Sequence, residues 1–306
     1  MKNKVKNLKK IFLDKFHYFL EIIKNNPLYK KLAKYIPYFL IPLFILYIII
    51  SLKNSEINIF NYKTLTSISI YLISAFFISP IFILLTSIRF HFLKLILESK
   101  TTIYKSINSV LLASSLDAFT PAKVNDFARL RNEPNKKISI YAIFIERLLD
   151  ILVLTCFVFY FTNKIYILIL LILLLITILL IITKNKTLKS FFYFIKLGIG
   201  SILITITHWF LAFRLFKNSF EVVLRSLDSN YNLNNLDLVT LNKFSIVTIL
   251  SVLPLSFGGV GIREASSISI FKNIDSSIVF GSTLAYGIGV SGSITLIGII
   301  YVIMRK

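Results

Sequence analysis

The feature that most constrains this chain is a set of apolar runs long enough to cross a bilayer. Residues 165–182 form 18 consecutive positions without a charged side chain, and a helix that crosses the hydrocarbon core needs about 20 apolar residues. Of the 306 residues, 56% are hydrophobic and 16% are charged, and the mean hydropathy is +0.78. The sequence therefore predicts an all-α polytopic membrane protein, since no interval approaches the roughly 100 residues of a soluble catalytic domain.

Positive charge is in large excess, with 35 Lys and Arg residues against 14 Asp and Glu residues. In a membrane protein this excess reports topology and contact with anionic lipid, so we expect membrane lipids, and no nucleic acid, as partners. Cys156 is the single cysteine and the three histidines are isolated, so we expect no disulfide framework and no metal site. No nucleotide loop or Ser-His-Asp pattern is present, so we expect no cofactor and no catalytic residue.

The first 34 residues carry ten lysines, with apolar residues recurring at helical spacing. This pattern predicts a basic amphipathic arm on the cytoplasmic membrane surface, because loops rich in Lys and Arg stay inside. A basic tail without regular structure is the alternative. Residues 35–306 are then expected to form a single transmembrane domain.

The apolar pattern predicts about six spans, at residues 35–52, 65–88, 138–161, 165–182, 197–216 and 278–304. Two shorter pieces, 103–119 and 238–253, are interpreted as re-entrant broken helices, which protein or a wet cavity must cover. Arg89 and Lys94 then mark a cytoplasmic segment, and Trp209 is interpreted as an interface anchor. Both termini are expected in the cytoplasm of a multi-pass cell-membrane protein. The element order of residues 35–161 recurs from the opposite side in residues 162–306, which predicts an inverted repeat of the transporter kind.

The most distinctive stretch is residues 253–264, Leu-Pro-Leu-Ser-Phe-Gly-Gly-Val-Gly-Ile-Arg-Glu. Pro254 ends the preceding helix, and the glycines allow close approach of the backbone to another group. A helix starting near Ile262 would direct free N–H groups at the bend, as in anion sites. The counterpart in the first half is residues 120–129, where Pro121 ends a helix and Asp126 falls in the next first turn. A plain cytoplasmic turn is the alternative there.

Three charges lie inside the predicted span 138–161, namely Glu146, Arg147 and Asp150. Glu146 and Asp150 share a helix face because they are four residues apart, and charges at membrane depth are paired or functional. One possibility is an internal salt-bridge cluster that also takes in Arg263 or Arg129. The other is a wet cavity in which arginines hold a phosphate, for which the forked guanidinium is suited.

Three stretches together resemble the transmembrane region of the lysylphosphatidylglycerol synthase family, also described as a flippase-like domain. Residues 120–129 resemble its Pro-Gly-x-x-Gly-Glu-x-x-Arg element, residues 146–150 its Glu-Arg-x-x-Asp, and residues 253–264 its Leu-Pro-x-x-x-Gly-Gly-x-Gly-x-Arg-Glu. Order and spacing fit over residues 35–306. Ala122 and Asn125 replace family glycines and Asp126 replaces a glutamate, so we expect a tighter or less mobile first break.

The resemblance implies a membrane domain that binds or moves lipid head groups. Synthases of the family carry a soluble aminoacyl-transferase domain after the membrane part, and none follows here, so we expect no lipid aminoacylation and no enzymatic activity. We expect translocation of an anionic lipid, either a phospholipid or a polyprenyl-phosphate-linked lipid. The expected head-group ligands are Arg263, Arg147, Arg129, Lys123, Gly258, Gly259 and Gly261. The expected structural or proton-coupling charges are Glu146, Asp150, Glu264 and Asp126.

Two other functions stay open at this point. A membrane-embedded lipid-modifying enzyme would use Glu146, Asp150 or Glu264 as acid or base, and some relatives of the family are labelled glycosyltransferase-like. An accessory scaffold would serve a separate lipid-modifying or glycosyltransferase partner, and its membrane charges would only brace the bundle.

Overall fold

The computed structural model describes residues 62–97, 99–117, 124–160, 188–227, 237, 239–251 and 262–305. All of them belong to one compact unit, Ser55–Lys306, and every regular element among them is helical. The all-α prediction is confirmed for this part of the chain. Several predictions fall outside the described residues: the basic arm 1–34, the spans 35–52 and 165–182, and the break residues Pro121, Lys123, Pro254, Gly258, Gly259 and Gly261.

Three helices are long and apolar enough to cross a membrane, over Ile68–Ile96, Ile195–Arg225 and Ser276–Met304. The first lies in helix α1 (Tyr62–Ile96) and the second in helix α4 (Leu188–Leu227). These helices pack along each other more extensively than any other described pair. They correspond to three of the six predicted spans, and they establish a membrane-embedded helical protein.

Shorter helical elements lie between the long ones. Helix α2 (Ile103–Ser114) is followed by a 3₁₀ segment (Val124–Asn132) and by helix α3 (Lys136–Tyr160). Helices α5 (Leu241–Ser251) and α6 (Ile262–Ile270) flank the Gly-rich stretch. Both stretches interpreted as re-entrant therefore have helical elements on each side of the break. Helix α3 covers residues 138–160 of the predicted span 138–161, with its three charges near mid-length.

The last helix has three parts, α7 (Ser276–Gly287), a π segment (Ile288–Gly292) and α8 (Ser293–Met304). It begins where the carboxylate of Asp275 accepts the backbone N–H of Ser277 at 2.8 Å, the N-cap arrangement that satisfies a free helix donor. A π segment is a local widening often found near functional sites. Gly298 lies against the backbone of α2, where an added Cβ would come within 2.7 Å of Ser115 Cα. The absence of a side chain at Gly298 therefore allows the last helix to approach this backbone closely.

Aromatic side chains fill the space between α4, α5 and α7. Phe216 is completely buried, and its ring centroid lies 5.2 Å from Phe220, 5.1 Å from Phe244 and 5.3 Å from Tyr286. Lipid tails are as apolar as these side chains, so van der Waals packing and polar contacts, rather than the hydrophobic effect, hold such helices together. Large apolar residues such as Phe77, 73% exposed, face outward from α1, as expected for a surface that a bilayer covers.

Candidate functional site

Two basic residues of α1 lie inside the protein. Arg89 is 2% exposed and Lys94 is 0% exposed. Their assignment to a cytoplasmic segment stays a prediction, and what the structure adds is that α1 continues to Ile96 and carries both side chains inward. The physical reason is charge compensation: a buried guanidinium is tolerated when carboxylates face it, and α3 supplies two of them.

Arg89 joins the two carboxylates that α3 presents on one face. Its Nη2 donates to Glu146 Oε1 at 2.6 Å, and its Nη1 donates to Asp150 Oδ1 at 2.6 Å. The spacing of four residues places both acids on the same side of α3, as predicted. One planar guanidinium can therefore bridge them with separate nitrogen atoms.

The other two arginines close the arrangement. Arg129 of the 3₁₀ segment donates to Glu146 Oε2 at 2.8 Å and to Asp126 Oδ1 at 2.6 Å. Arg147 of α3 reaches Asp126 Oδ2 at 2.6 Å and Asp150 Oδ2 at 2.8 Å. Counting contacts of 2.8 Å or less, each arginine thus binds two carboxylates and each carboxylate binds two arginines. Arg147 Nη2 also lies 3.7 Å from Glu146 Oε1. We call this closed set the charge ring; its members are Arg89, Asp150, Arg147, Asp126, Arg129 and Glu146.

Helix α4 supports the charge ring from the other side. Thr205 accepts a hydrogen bond from Arg89 Nη1 at 3.0 Å. The indole Nε1 of Trp209 donates to Asp150 Oδ1 at 2.9 Å. Trp209 is therefore bound to a buried carboxylate, which the interpretation as an interface anchor did not anticipate.

A cavity of about 150 Å³ borders the charge ring. All six ring residues line it, and so do Asp117 and Arg263. Among the described residues, four arginines and four carboxylates line the cavity. The imidazole ring of His208 also lines it. The remaining lining is largely apolar, from Phe82 and Ile83 of α1 to Val290 and Ile294 in the last helix.

Arg263 enters the cavity lining from α6. It is 8% exposed, and its guanidinium carbon lies 5.4 Å from the ring centroid of Tyr286, within cation–π range. Gly287 leaves room for it, because a Cβ at that position would collide with Arg263 Nη1. The neighbouring Glu264 is buried at 1% exposure on the same helix.

Two arginine donors of the charge ring remain to be satisfied. The Nε atoms of Arg89 and Arg129 are buried, and within the described ranges no hydrogen-bond acceptor reaches them. Buried polar groups in proteins nearly always have partners. Because both arginines line the cavity, a group with acceptor oxygens placed there could meet donors that the protein leaves open.

Asn125 stands where the family pattern has a glycine, and its side chain has a defined place. Its Nδ2 donates to Asp117 Oδ1 at 3.0 Å. Asn125 is 6% exposed and Asp117 is also buried. The amide therefore ties the 3₁₀ segment to the turn that follows α2, and the expectation of a tighter or less mobile first break stays a prediction.

A second buried ion pair lies close to Phe90. Lys94 Nζ donates to Glu133 Oε1 at 2.7 Å, and Ser109 donates to the same oxygen at 2.8 Å. Phe90 has Lys94 Nζ 4.5 Å and Arg129 Cζ 5.1 Å from its ring centroid. This pair lies outside the cavity lining, so its contacts are with the packed interior.

The structure brings together most of the described residues that the sequence analysis selected. Arg129, Arg147, Glu146, Asp150 and Asp126 form the charge ring, and Arg263 lines the same cavity. Sequence reasoning missed Arg89, Thr205, Tyr286 and Asp117. One signal pointed to a missing cation: the 146–150 motif has two acids and one arginine. Arg89, which directly follows an apolar run, was a candidate for that cation. Across the ranges that the structure covers, no cluster of His, Cys, Asp and Glu has metal-site geometry.

Comparison of the chain with protein-family models, with curated proteins and with solved structures found no match.

Proposed function

We propose that this protein binds a membrane lipid by its anionic phosphate group and translocates it between leaflets. The observation that carries the proposal is the cavity beside the charge ring, which has two buried arginine donors open among the described residues. It is bordered by residues of helices that are apolar enough to cross a membrane. Ionisable residues in such a setting typically mark substrate pathways.

Arginine is the residue type that suits this ligand. A guanidinium matches the oxygen spacing of a phosphate with two parallel hydrogen bonds, whereas an ammonium acts as a point charge. Arg147 is the most accessible ring member, with its side chain 25% exposed against 0–6% for the others. We propose that Arg147 and Arg263 contact the phosphate and that Arg129 supports it from the ring.

The finer topology belongs to the same proposal. We propose six spans and two re-entrant broken helices related as an inverted repeat, in a cell membrane with both termini cytoplasmic. The motifs at residues 120–129, 146–150 and 253–264 support membership of the flippase-like family. In that arrangement the two breaks approach the lipid from opposite sides, with the backbone of Gly258, Gly259 and Gly261 as further donors.

Arg263 offers the sharpest test, because it lines the cavity without belonging to the charge ring. We expect Arg263→Ala to abolish scrambling of a fluorescent phosphatidylglycerol in reconstituted vesicles, measured by dithionite quenching of the outer leaflet. Arg263→Lys should retain part of the activity, since it keeps the charge but loses the fork. Arg225→Ala is the matched control, because Arg225 is 65% exposed in a surface pair with Glu221. Unchanged scrambling by folded Arg263→Ala protein would refute the proposal.

A bracing role for the charges is the second candidate, and the closure of the ring favours it. Every ring member already has ion-pair partners within the protein, as expected for an accessory scaffold whose charges hold the bundle together. In that case Arg263→Ala and Arg147→Ala should lower folded yield while scrambling per folded molecule stays at the level of the unsubstituted protein. Size-exclusion yield measured beside the transport assay separates the two candidates.

A further inference from the structure

The charge ring is electrically balanced, and this constrains how an anion can bind to it. Its three arginines face three carboxylates, none of which has a side chain more than 6% exposed. A phosphodiester that enters brings one more negative charge into this poorly solvated site. An uncompensated buried charge is strongly unfavourable, so tight binding requires a compensating positive charge.

Entry at Arg147 would displace a carboxylate. Arg147 uses Nε and Nη2 on Asp126 Oδ2, at 2.8 and 2.6 Å, and Nη1 on Asp150 Oδ2 at 2.8 Å. Those two nitrogens, Nε and Nη2, form one of the two bidentate edges of the guanidinium, and we take it as the edge that a phosphate binds. A phosphate on that edge therefore replaces Asp126.

Of the two carboxylates that Arg147 binds, Asp126 is left with fewer hydrogen-bond donors after the exchange. Without Arg147 it keeps one arginine, Arg129, at 2.6 Å. Asp150 would keep Arg89 and the indole of Trp209 at 2.9 Å. A buried carboxylate with fewer positive partners and a new anion beside it favours its protonated form.

We propose that phosphate binding at Arg147 is coupled to the uptake of one proton by Asp126, so that an anionic lipid enters the site together with a proton. This inference rests on the proposed function. The proton comes from solvent, converts the Asp126 carboxylate to the acid, and returns to solvent when the phosphate leaves and Asp126 rebinds Arg147. The site has the same net charge with and without the lipid.

The groups facing Asp126 are consistent with this exchange. Arg129 of its own 3₁₀ segment and Arg147 of α3 contact Asp126 directly. The other charged or titratable side chains that line the same cavity are Glu146 and Asp150 of α3, Asp117 in the turn after α2, Arg89 of α1, His208 of α4, Arg263 of α6 and Tyr286 of α7. Their charges nearly cancel, so the change at Asp126 decides the balance.

The test is a calorimetric titration of the full chain in detergent with dihexanoyl phosphatidylglycerol, in two buffers of different ionisation enthalpy. The difference in heat between the buffers gives the number of protons taken up. We expect about one proton per lipid and an affinity that falls about tenfold per pH unit on raising the pH. The sign follows because the free protein has Asp126 ionised and the complex has it protonated, so a low proton concentration opposes binding.

Three variants locate the proton. Asp126→Asn should bind the lipid with little proton uptake and a flat pH dependence, because an amide needs no proton to be neutral. Asp150→Asn should still take up a proton, since Asp126 is still displaced. Asp275→Asn, at an exposed N-cap outside the cavity lining, should match the unsubstituted protein. If Asp126→Asn does not fold, the proton count of the unsubstituted protein still decides the question.

Other ligands separate the competing explanations. Dimethyl phosphate, a phosphodiester without acyl chains, should bind more weakly than the lipid, and equal affinity would overturn the assignment to a lipid. Tighter binding of dihexanoyl phosphatidylcholine without proton uptake would show that a ligand ammonium supplies the compensation, and would overturn proton coupling. Phosphatidylglycerol binding without proton uptake refutes this inference alone. The absence of binding at every pH refutes the proposed function as well.

Discussion

Replacing Arg89 by Met tests the role of the charge ring in stability. Arg89 is the cation between Glu146 and Asp150, with 2.6 Å contacts to each, and it is 2% exposed. Met preserves much of the side-chain length and removes the charge. Because both carboxylates stay buried, the substitution leaves one uncompensated negative charge in the bundle.

The expected loss is large for one substitution. Removing one partner of a buried ion pair costs about 3–5 kcal/mol, most of it from the charge left behind. Thr205 also loses the hydrogen bond that its hydroxyl oxygen accepts from Arg89 Nη1 at 3.0 Å. We therefore expect Arg89→Met to lower the free energy of unfolding by about 3–5 kcal/mol, with Arg89→Lys losing less because the charge remains.

Reversible unfolding of the purified protein in mixed micelles with increasing denaturing detergent, followed by circular dichroism, measures this difference. Arg225→Met is the matched control, since Arg225 pairs with Glu221 at the surface of α4 with its side chain 65% exposed. Exposed ion pairs contribute about 0–1 kcal/mol. Equal losses for the two variants would refute the argument that the ring compensates buried charge.

Two further substitutions probe the last helix. Gly298→Ala should destabilise the protein by about 1–3 kcal/mol, because the added Cβ would press on the backbone at Ser115. Gly281→Ala should be neutral or stabilising, because the atom nearest to an added Cβ is 3.8 Å away. Thermal unfolding that ranks the two variants the other way would contradict the packing. Asp275→Ala should cost about 1 kcal/mol through loss of the N-cap. Hydrogen bonding from Ser277 lowers the pKa of Asp275 in the folded protein, so its contribution is present above the unfolded-state pKa and is lost as the pH falls through the folded-state value. If the free energy of unfolding of Asp275→Ala falls with acidic pH as steeply as that of the unsubstituted protein, the result would be evidence against that cap.

Charge compensation explains why this bundle can bury so many ions. A single guanidinium at membrane depth is expensive, but the closed set gives each arginine at least two carboxylates and each carboxylate at least two arginines. Thr205 and Trp209 of α4 add hydrogen bonds to the ring. The same closure makes the ring sensitive to any anion that competes for one arginine.

Local sequence spacing predicted part of this site. Glu146 and Asp150 had to share a face of α3 because a helix repeats every 3.6 residues. That reasoning could not reach Arg89, because the residue that ends an apolar run looks like the start of a loop. Its burial depends on acids 57 and 61 residues away in the chain.

The sequence by itself determined the class of protein and the charges that must find partners. Uninterrupted apolar runs require helices that satisfy their own backbone hydrogen bonds in lipid, and the 146–150 motif required buried compensation. Only the tertiary structure decided which cations supply it, that Trp209 binds a carboxylate, and that Arg263 meets the ring across one cavity. The physical reason is that electrostatic compensation acts between groups close in space, whereas periodicity reports only on neighbours within one helix.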